Sequence, residues 1–329
     1  MKILVLGSNS FAGGMFSLTA AKSGMEVHGV SRSKHMPRFL NPITTDLLAS
    51  GRFCFHNINI NNNLDDLFDL TNKIRPSYIV DFAGQGMVAE SWSNPHQWYQ
   101  TNLVSKVKWI DFLLDKKWLK KYIRISTPEV YGSTDELTTE SDQYNPSTPY
   151  AVSHAAIDMH LKAYVKQHGF PAIIGRFSNF YGPTQQLYRI MPKAIIYARL
   201  GKKLPLHGGG MSTRAFIFGE DVASGIMQML NSAETGSYYH FSTDEFIRIR
   251  DLVQLIHSKM GVDFDRMVID TTDRPGKDVN YFMSDIKARQ ELNWVPKTSL
   301  SEGIDRTIEW IDCYWNEIKN SNFEYEHKE

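Results

Sequence analysis

The sequence has little cysteine, no net charge and no long apolar run, and each of these absences excludes a class of protein. Its two cysteines, Cys54 and Cys313, lack metal-site spacing and are typical of packing residues in a reducing compartment. The 36 basic and 36 acidic residues cancel, which gives no electrostatic case for binding nucleic acid or a membrane surface. No apolar run approaches the roughly 20 residues that cross a bilayer. We therefore expect a soluble cytoplasmic protein with no metal and with no nucleic-acid or membrane partner.

What the sequence does contain is enough apolar residues for a large core. They make up 42% of the 329 residues, and this length suits one large or two modest domains. Residue patterns predict strands at 3–6, 26–30, 53–60, 78–82 and 122–125, and helices at 12–23, 98–114 and 150–165. Strands that alternate with helices favour an α/β fold. We interpret it as a doubly wound parallel (Rossmann) sheet with a smaller C-terminal α/β substrate domain.

The turn between the first strand and the first helix, residues 7–13, has the composition of a dinucleotide-binding loop. It reads Gly-Ser-Asn-Ser-Phe-Ala-Gly, and strand, glycine turn and helix form the context that a dinucleotide fingerprint requires. Glycine lets the backbone approach a pyrophosphate, and the helix N-terminus favours its negative charge. The turn therefore predicts a dinucleotide cofactor.

The second predicted strand ends in Ser31-Arg32-Ser33, with no acidic residue there. A site for NAD usually places an acid at this position to bind the ribose 2′-hydroxyl. A guanidinium flanked by hydroxyls suits a 2′-phosphate instead. The sequence therefore favours NADP as the cofactor, with NAD as the alternative.

Hydroxyls, a carboxylate and a phenol are predicted to gather where the strand at 122–125 ends and the helix at 150–165 begins. Thr127 and Glu129 follow the strand, and their side chains point to the same side if this segment is extended. Tyr150 and His154 are four residues apart and so share one helix face. A nearby cation lowers the pKa of a phenol, and a phenolate beside a sugar hydroxyl is a suitable base for hydride removal.

This order, Ser-Thr-x-Glu-x-Tyr-Gly at 126–132 followed by Pro-Tyr-Ala-x-Ser at 149–153, resembles the extended short-chain dehydrogenase/reductases. Within that family it resembles the nucleotide-sugar 4,6-dehydratases that act on dTDP-glucose and GDP-mannose. The resemblance covers nearly the whole chain and includes Arg-x-Ser-Asn-x-Tyr-Gly-Pro at 176–183. The sequence departs from the family pattern at Ser10, where the family has glycine, at Pro128, where it has aspartate or serine, and at His154, where it has lysine.

The resemblance implies a role for each matched residue. Thr127 orients the sugar 4-hydroxyl, Tyr150 is the base at C4, Glu129 is the base at C5, and His154 bonds the nicotinamide ribose. The implied cofactor contacts are Gly7, Ser10, Phe11, Gly13, Ser31, Arg32, Ser33, Asn57, Ile58, Ala83, Gln85, Asn102, Tyr150 and His154. The implied substrate contacts are Asn179, on a phosphate, and the two arginines of a diphosphate clamp, Arg214 and Arg274.

The reaction that the resemblance implies converts a nucleoside-diphosphate hexose into a 4-keto-6-deoxy sugar, a step of polysaccharide biosynthesis. Hydride leaves C4 for the cofactor, a proton leaves C5, water leaves from C6, and the hydride returns to C6. Two alternatives stay open. A 4-epimerase needs only Thr127, Tyr150 and the cofactor, although Glu129 argues against it. A catalytically silent protein that binds cofactor and nucleotide sugar is motivated by the departures at Ser10, Pro128 and His154 together.

The resemblance also implies how the chain is organised. Residues 1–177 form a dinucleotide-binding domain to which part of 213–242 returns, and residues 178–329 mainly bind the nucleotide sugar. The helices at 98–114 and 150–165 form a four-helix dimer interface in the family, so a homodimer is expected. The polar stretch at 320–329 is predicted to be a loose terminus.

Overall fold

The structure, a computed structural model, describes residues 1–34, 36–273 and 280–328. The strands are β1 (Lys2–Leu6), β2 (Glu26–Ser31), β3 (Phe53–Asn57), β4 (Tyr78–Asp81), β5 (Lys121–Ser126), β6 (Leu137–Thr138), β7 (Ala172–Phe177), β8 (Asn179–Tyr181), β9 (Leu204–His207), β10 (Thr213–Phe218), β11 (Tyr238–Phe241), β12 (Phe246–Arg248), β13 (Val268–Thr271) and β14 (Phe282–Met283).

The α-helices are α1 (Phe11–Lys22), α2 (Thr45–Ala49), α3 (Leu64–Ile74), α4 (Pro95–Tyr99), α5 (Ser105–Leu113), α6 (Pro149–His168), α7 (Ile190–Arg199), α8 (Gly219–Ser232), α9 (Ile249–Lys259), α10 (Phe264–Met267), α11 (Ile286–Leu292), α12 (Leu300–Cys313) and α13 (Trp315–Ile318). A π-helix lies at Gln100–Val104, and 3-10 helices lie at Arg38–Leu40, Ala89–Trp92, Pro128–Tyr131 and Gly208–Gly210. Among the helices of the described ranges, none is long and apolar enough to cross a membrane.

The main sheet has seven parallel strands in the order β11-β7-β5-β4-β1-β2-β3. The strand order reverses at β1, which lies between β4 and β2, and the crevice beyond the carboxyl ends of strands at such a switch point is where doubly wound sheets bind ligands. Ile3 and Val5 of β1 are fully buried, as expected for a parallel sheet covered by helices on both faces. The predicted doubly wound parallel sheet is confirmed.

The glycine turn after β1 depends on two glycines that no other residue can replace without strain. Gly7 has φ 79°, and a Cβ there would come within 2.8 Å of the backbone nitrogen of Ala83 at the end of β4. A Cβ on Gly13 would lie 2.3 Å from the carbonyl oxygen of Gly7. Ser10 caps α1 by accepting a hydrogen bond of 3.1 Å from the Gly13 backbone. The ends of β1, β4 and α1 therefore meet closely at this turn.

Two predicted elements differ from the structure by an interruption or an early end. The helix predicted at 98–114 is divided into α4, the π-helix and α5, and Asn102 lies in the π-helix. π-Helical turns are rare and occur frequently at functional sites. The strand predicted at 53–60 ends at Asn57, because the chain turns at 59–63 with hydrogen bonds from the backbones of Asn62 and Asn63 to Asn59.

The second half of the chain builds a smaller α/β region. In this region β10 pairs in parallel with β8 and antiparallel with β12, and β9 pairs in parallel with β13. Buried side chains of α7, α9 and α12 share one apolar cluster with β9 and β10. The chain also returns to the main sheet, since β11 pairs with β7. The smaller C-terminal α/β region is thus present, and the domain boundary at residue 177 stays a prediction.

Candidate active site

The candidate site begins where β5 ends. Thr127 follows the strand, and Pro128–Tyr131 forms a 3-10 helix in which proline takes the first position, where its fixed φ fits and its missing N–H costs nothing. The Thr127 hydroxyl caps this helix by accepting a hydrogen bond of 3.3 Å from the Glu129 backbone. The segment is therefore not extended, so the condition under which Thr127 and Glu129 were expected to point to the same side is not met.

Both side chains nevertheless act on the same group, the phenol of Tyr150. Tyr150 is half-buried in the first turn of α6, which Thr148 caps through a 3.1 Å hydrogen bond from the Ala151 backbone. Burial and then the negative charge of Glu129 raise the pKa of Tyr150 to about 12, while a hydrogen bond from Thr127 opposes the rise. The structure therefore brings the predicted trio of hydroxyl, carboxylate and phenol together.

His154 lies one helical turn after Tyr150, and its ring centroid is 4.6 Å from that of the phenol. The side chain is buried, and its Nδ1 is 3.0 Å from Nη2 of Arg124 on β5. Burial lowers the pKa of His154 well below its usual range, and the positive charges of Arg124 and Lys106 lower it further. His154 is therefore a neutral imidazole at neutral pH.

Arg124 belongs to a buried ionic cluster that sequence reasoning missed. Asp81 and Arg124 are register partners on the neighbouring strands β4 and β5, and their charged groups are 3.8 Å apart. Lys106 of α5 lies 2.5 Å from the same carboxylate, and Tyr122 donates a 2.8 Å hydrogen bond to it. The sequence did carry a signal for this cluster, because Asp81 and Arg124 are charged residues inside two otherwise apolar strand patterns.

The charges of this cluster depend on whether Lys106 is protonated. Although burial opposes ionisation, Lys106 and Arg124 hold the pKa of Asp81 below its usual value. Burial and the Arg124 cation lower the pKa of Lys106 to about 7. With Lys106 protonated, the cluster has two cations and one anion, and its excess positive charge lies beside His154.

A second buried network fixes the end of β5. Ser126 donates a 2.7 Å hydrogen bond to Asp158 of α6, and Arg176 of β7 forms a 3.0 Å ion pair with the same carboxylate. Arg176 also donates to the hydroxyl of Tyr131, which lies 2.8 Å from Nε2 of His240. This network ties the 3-10 helix, α6 and the sheet together, so it holds the geometry of the site.

The glycine turn fits a dinucleotide pyrophosphate. Gly7 and Gly13 let the turn pack tightly at the start of α1, and the first turn of α1 has no acidic residue to repel an anion. The hydroxyl of Ser10 donates a 2.7 Å hydrogen bond to the Gly7 carbonyl in addition to capping α1. A Cβ on Gly219 of α8 would touch the Phe11 ring at 2.7 Å. Phe11 therefore packs on α8 and offers the site its backbone rather than its ring.

The predicted contacts with the adenosine end gather at the carboxyl end of β2. The Ser31 hydroxyl accepts a 2.9 Å hydrogen bond from the Asn9 backbone. The backbone oxygen of Ser33 accepts a 3.0 Å hydrogen bond from the Asn9 side chain. The backbone oxygen of Ser31 receives hydrogen bonds of 2.9 Å from the Asn57 side chain and 3.1 Å from the Ile58 backbone. Asn9 is a further residue that sequence reasoning missed, although it lies inside the glycine turn.

Asn102 connects the loop after β4 to α6. Its side chain accepts a hydrogen bond of 2.7 Å from the Gln85 backbone nitrogen. It donates hydrogen bonds of 3.1 Å to the Gln85 carbonyl and 3.0 Å to the Ser153 hydroxyl. At the start of the same loop, the backbone nitrogen of Ala83 donates a 3.0 Å hydrogen bond to the Asp81 carboxylate. Gln85 and Ala83 are thereby held at the carboxyl edge of the sheet, where the nicotinamide end of a cofactor is expected.

The C-terminal segment is not loose. Glu324 forms a 2.9 Å ion pair with Lys193, and His327 stacks on Trp98 at 5.2 Å between ring centroids. The backbone oxygen of Lys328 accepts hydrogen bonds from Arg32 at 2.9 Å and from Gln85 at 2.6 Å. The predicted loose terminus is wrong, because aromatic and charged side chains of this polar stretch find partners on the body of the protein.

Two predicted substrate residues lie together around Tyr281. Its hydroxyl donates a 2.5 Å hydrogen bond to Asn179, and the guanidinium of Arg214 lies 4.3 Å from its ring centroid. Tyr281 is buried and was not singled out in the sequence. Arg274, the second arginine of the predicted clamp, lies outside the described residues. The roles of all these site residues stay predictions.

Comparisons with known proteins show which family and which solved structures this chain resembles. A family model described as GDP-mannose 4,6 dehydratase matches residues 4–307. A trifunctional UDP-glucose 4,6-dehydratase, 3,5-epimerase and reductase of Arabidopsis thaliana is 33% identical over 250 residues, which is 74% of this chain and 38% of that protein. The chain thus spans well under half of that plant relative.

Solved structures match over more of their length. A dTDP-glucose 4,6-dehydratase from Streptomyces venezuelae with NAD bound has a TM-score of 0.86 and 27% identity, covering 96% of this chain and 98% of that one. A UDP-glucuronic acid 4-epimerase from Bacillus cereus, in complex with UDP-glucuronic acid and NAD, has a TM-score of 0.84 and 25% identity, covering 95% of this chain and 99% of that one.

Proposed function

Because the chain belongs to the GDP-mannose 4,6-dehydratase family of the extended short-chain dehydrogenase/reductases, we propose that it is a nucleotide-sugar 4,6-dehydratase. The observation that carries this proposal is the convergence of Thr127 and Glu129 on the phenol of Tyr150. With the nicotinamide as hydride acceptor, a phenol and a hydroxyl suffice to oxidise C4, whereas elimination also needs a base at C5, and Glu129 supplies it.

The residues of the site divide the work of the reaction. Tyr150 accepts the proton of the sugar 4-hydroxyl, which Thr127 orients by hydrogen bonding. Glu129 removes the C5 proton, and since Pro128 has no proton to donate, the protonated Glu129 or a water molecule assists the departing hydroxyl at C6. The nicotinamide, when bound, supplies reversible hydride transfer. His154 donates a hydrogen bond to the nicotinamide ribose.

The cofactor we propose is NADP, with NAD as the alternative. Support for NADP comes from Arg32 and the hydroxyls of Ser31 and Ser33, together with the missing acid after β2. Support for NAD comes from the solved relatives from Streptomyces venezuelae and Bacillus cereus, whose structures contain NAD.

The substrate we propose is a nucleoside-diphosphate hexose whose diphosphate is bound by Arg214 and Asn179, with Arg274 as a second arginine. Arg214 is nine-tenths buried and lies beside Tyr281. A buried guanidinium is an effective ligand for phosphate because its planar fork donates two parallel hydrogen bonds.

We also propose a cytoplasmic homodimer formed through the π-helix, α5 and α6. Val104, Val152 and Met159 are exposed apolar side chains on these helices, at 40%, 39% and 55% of their full accessibility. Val152 and Met159 are seven residues apart and so share one helix face. Both cysteines are free, as is typical of a reducing compartment.

A 4-epimerase is the second candidate, and the structural likeness to the Bacillus cereus 4-epimerase supports it. Incubation of the purified protein with a panel of nucleotide sugars, followed by mass spectrometry, tests both. Loss of one water from a nucleotide sugar is expected. An unchanged mass with a new isomer identifies an epimerase, and no reaction with any sugar identifies a protein that only binds.

A further inference from the structure

We propose that Arg124 is a positioning residue of the site: it fixes the tautomer of His154 and supplies the positive charge that stabilises the Tyr150 phenolate. This inference rests on the proposed function, in which Tyr150 must be deprotonated before it can accept the proton of the sugar 4-hydroxyl. A single cationic side chain next to the tyrosine could both bind the ribose and stabilise the phenolate. In this chain His154 binds the ribose, and Arg124 orients His154 and supplies the positive charge.

The first task follows from the contact between Arg124 and His154. A guanidinium stays protonated and can only donate hydrogen bonds. Its Nη2 is 3.0 Å from the Nδ1 of His154, so Nδ1 must be the acceptor and carries no proton. In a neutral imidazole the proton then lies on Nε2. Arg124 therefore leaves the Nε2–H of His154 as the donor for a ribose hydroxyl.

The second task follows from where the charges lie. A neutral His154 adds no positive charge beside Tyr150, whose pKa burial and Glu129 raise. Arg189 and then Arg124 are the cations that oppose this rise. Arg124 is the one with a hydrogen bond to the helix that carries Tyr150, through His154.

Arg124 is held in this position by Asp81, whose buried carboxylate is itself fixed by two further side chains. Asp81 of β4 lies 3.8 Å from its Nη1, Lys106 of α5 pairs with the same carboxylate at 2.5 Å, and Tyr122 of β5 donates to it at 2.8 Å. With Lys106 protonated, one anion is shared by two cations, which leaves Arg124 only partly neutralised. Its excess charge therefore remains available to the phenolate, at a site where low polarity strengthens the interaction.

The same cluster explains why a histidine fits at this helix position. A lysine here would place a third ammonium or guanidinium group against Arg124 and Lys106, with Asp81 as the carboxylate between them. A neutral imidazole instead accepts a hydrogen bond from Arg124 and removes the repulsion. We therefore expect the identities of residues 124 and 154 to be coupled.

Kinetics of paired variants test the coupling. For Arg124→Gln we expect kcat at neutral pH to fall about 100-fold with little change in KM, because the cation that acts on the phenolate is lost. The acidic limb of the pH profile, where activity rises as Tyr150 loses its proton, should move to higher pH. The double variant Arg124→Gln with His154→Lys places both tasks in one lysine and should recover about tenfold or more. Arg52→Gln, at an exposed arginine, is the control and should match the parent.

The single variant His154→Lys should be slower than the double variant, since its lysine faces Arg124. An Arg124→Gln variant with the parent's kcat and pH profile would overturn the inference. So would a double variant no faster than Arg124→Gln alone. Thermal unfolding of each variant identifies a loss of activity that comes from a loss of folding.

Nuclear magnetic resonance of the unmodified protein with ¹⁵N-labelled histidine tests the tautomer without any substrate. His154→Gln assigns the signal. We expect an unprotonated Nδ1 and a protonated Nε2 that do not titrate near neutral pH. A proton on Nδ1, or ordinary titration, overturns the inference. If the tautomer is as expected and no nucleotide sugar reacts, the proposed function fails while the assignment of Arg124 as the residue that fixes His154 stands.

Discussion

Nη1 of Arg32 donates a 2.9 Å hydrogen bond to the backbone oxygen of Lys328, 296 residues further along the chain. The same oxygen accepts from Gln85 at 2.6 Å. One C-terminal carbonyl thus bonds two side chains that the sequence assigns to opposite ends of the cofactor. A 2′-phosphate that binds Arg32 has to share or displace this contact.

Removal of residues 321–329 should therefore tighten the binding of NADP. A hydrogen bond to a charged group is worth a few kcal/mol at most, and Arg32 keeps other donors, so we expect a gain of about three- to tenfold in affinity. Binding titrations with NADP and NAD measure it, and the gain should be smaller for NAD. Glu326→Gln, which alters a side chain bonded to Asn322 within the tail, serves as the control. Weaker NADP binding after truncation would show that the tail belongs to the cofactor site.

Arg32→Ala should weaken NADP binding by about tenfold or more and leave NAD binding nearly unchanged, because a guanidinium pairs with the 2′-phosphate that NAD lacks. Dissociation constants for both cofactors, measured on the parent and on the variant, provide the comparison. Arg38→Ala removes another exposed arginine from the loop after β2 and should have no such effect. The prediction fails if the unmodified protein already binds NAD more tightly than NADP.

The fold was predictable from the sequence where a local pattern decides it. The apolar runs at 3–6 and 78–82 became β1 and β4, and the strand, glycine turn and helix at the start formed as predicted. The interruption of the helix at 98–114 was not predictable, because a π-turn changes hydrogen-bond spacing and leaves no mark in the apolar pattern. Within it, Asn102 bonds Gln85 and Ser153, which are far apart in the sequence.

The candidate site was predictable in its reacting groups and not in its electrostatics. Thr127, Glu129 and Tyr150 carry a signature in their order along the chain. Asp81 and Arg124 were visible as charges in apolar strands, but their pairing requires knowing that β4 lies beside β5. For the same reason the sequence could not show that His154 accepts a hydrogen bond from Arg124.

Glu129→Gln should separate oxidation from elimination. Without a base at C5 the loss of water should slow by about 100-fold or more, while the nicotinamide is still reduced transiently at C4 oxidation. Since the Glu129 carboxylate raises the pKa of Tyr150, its removal should lower that pKa and extend C4 oxidation to lower pH. Stopped-flow absorbance of the reduced nicotinamide and mass spectrometry of the product follow the two steps. Dehydration at the parent's rate would exclude Glu129 as the C5 base.

Lys106 should make the stability of the protein depend on pH in a defined direction. Its folded-state pKa is lowered to about 7 by burial and by Arg124, whereas an unfolded lysine has a pKa near 10.4. Between these values the unfolded chain binds more protons than the folded one, so the Lys106 contribution to the free energy of unfolding rises as pH rises from about 7 to about 10.

The variant Lys106→Met tests this contribution by difference. Methionine fills a similar volume and leaves Asp81 paired with Arg124, so the cluster keeps one ion pair and one hydrogen bond from Tyr122. Urea unfolding of parent and variant at several pH values isolates the contribution of Lys106, because the other titrating groups are common to both. We expect the parent to gain stability relative to the variant between pH 7 and pH 10. A difference that stays constant over this range means that Lys106 remains protonated beside Asp81 throughout, and that its 2.5 Å ion pair outweighs burial.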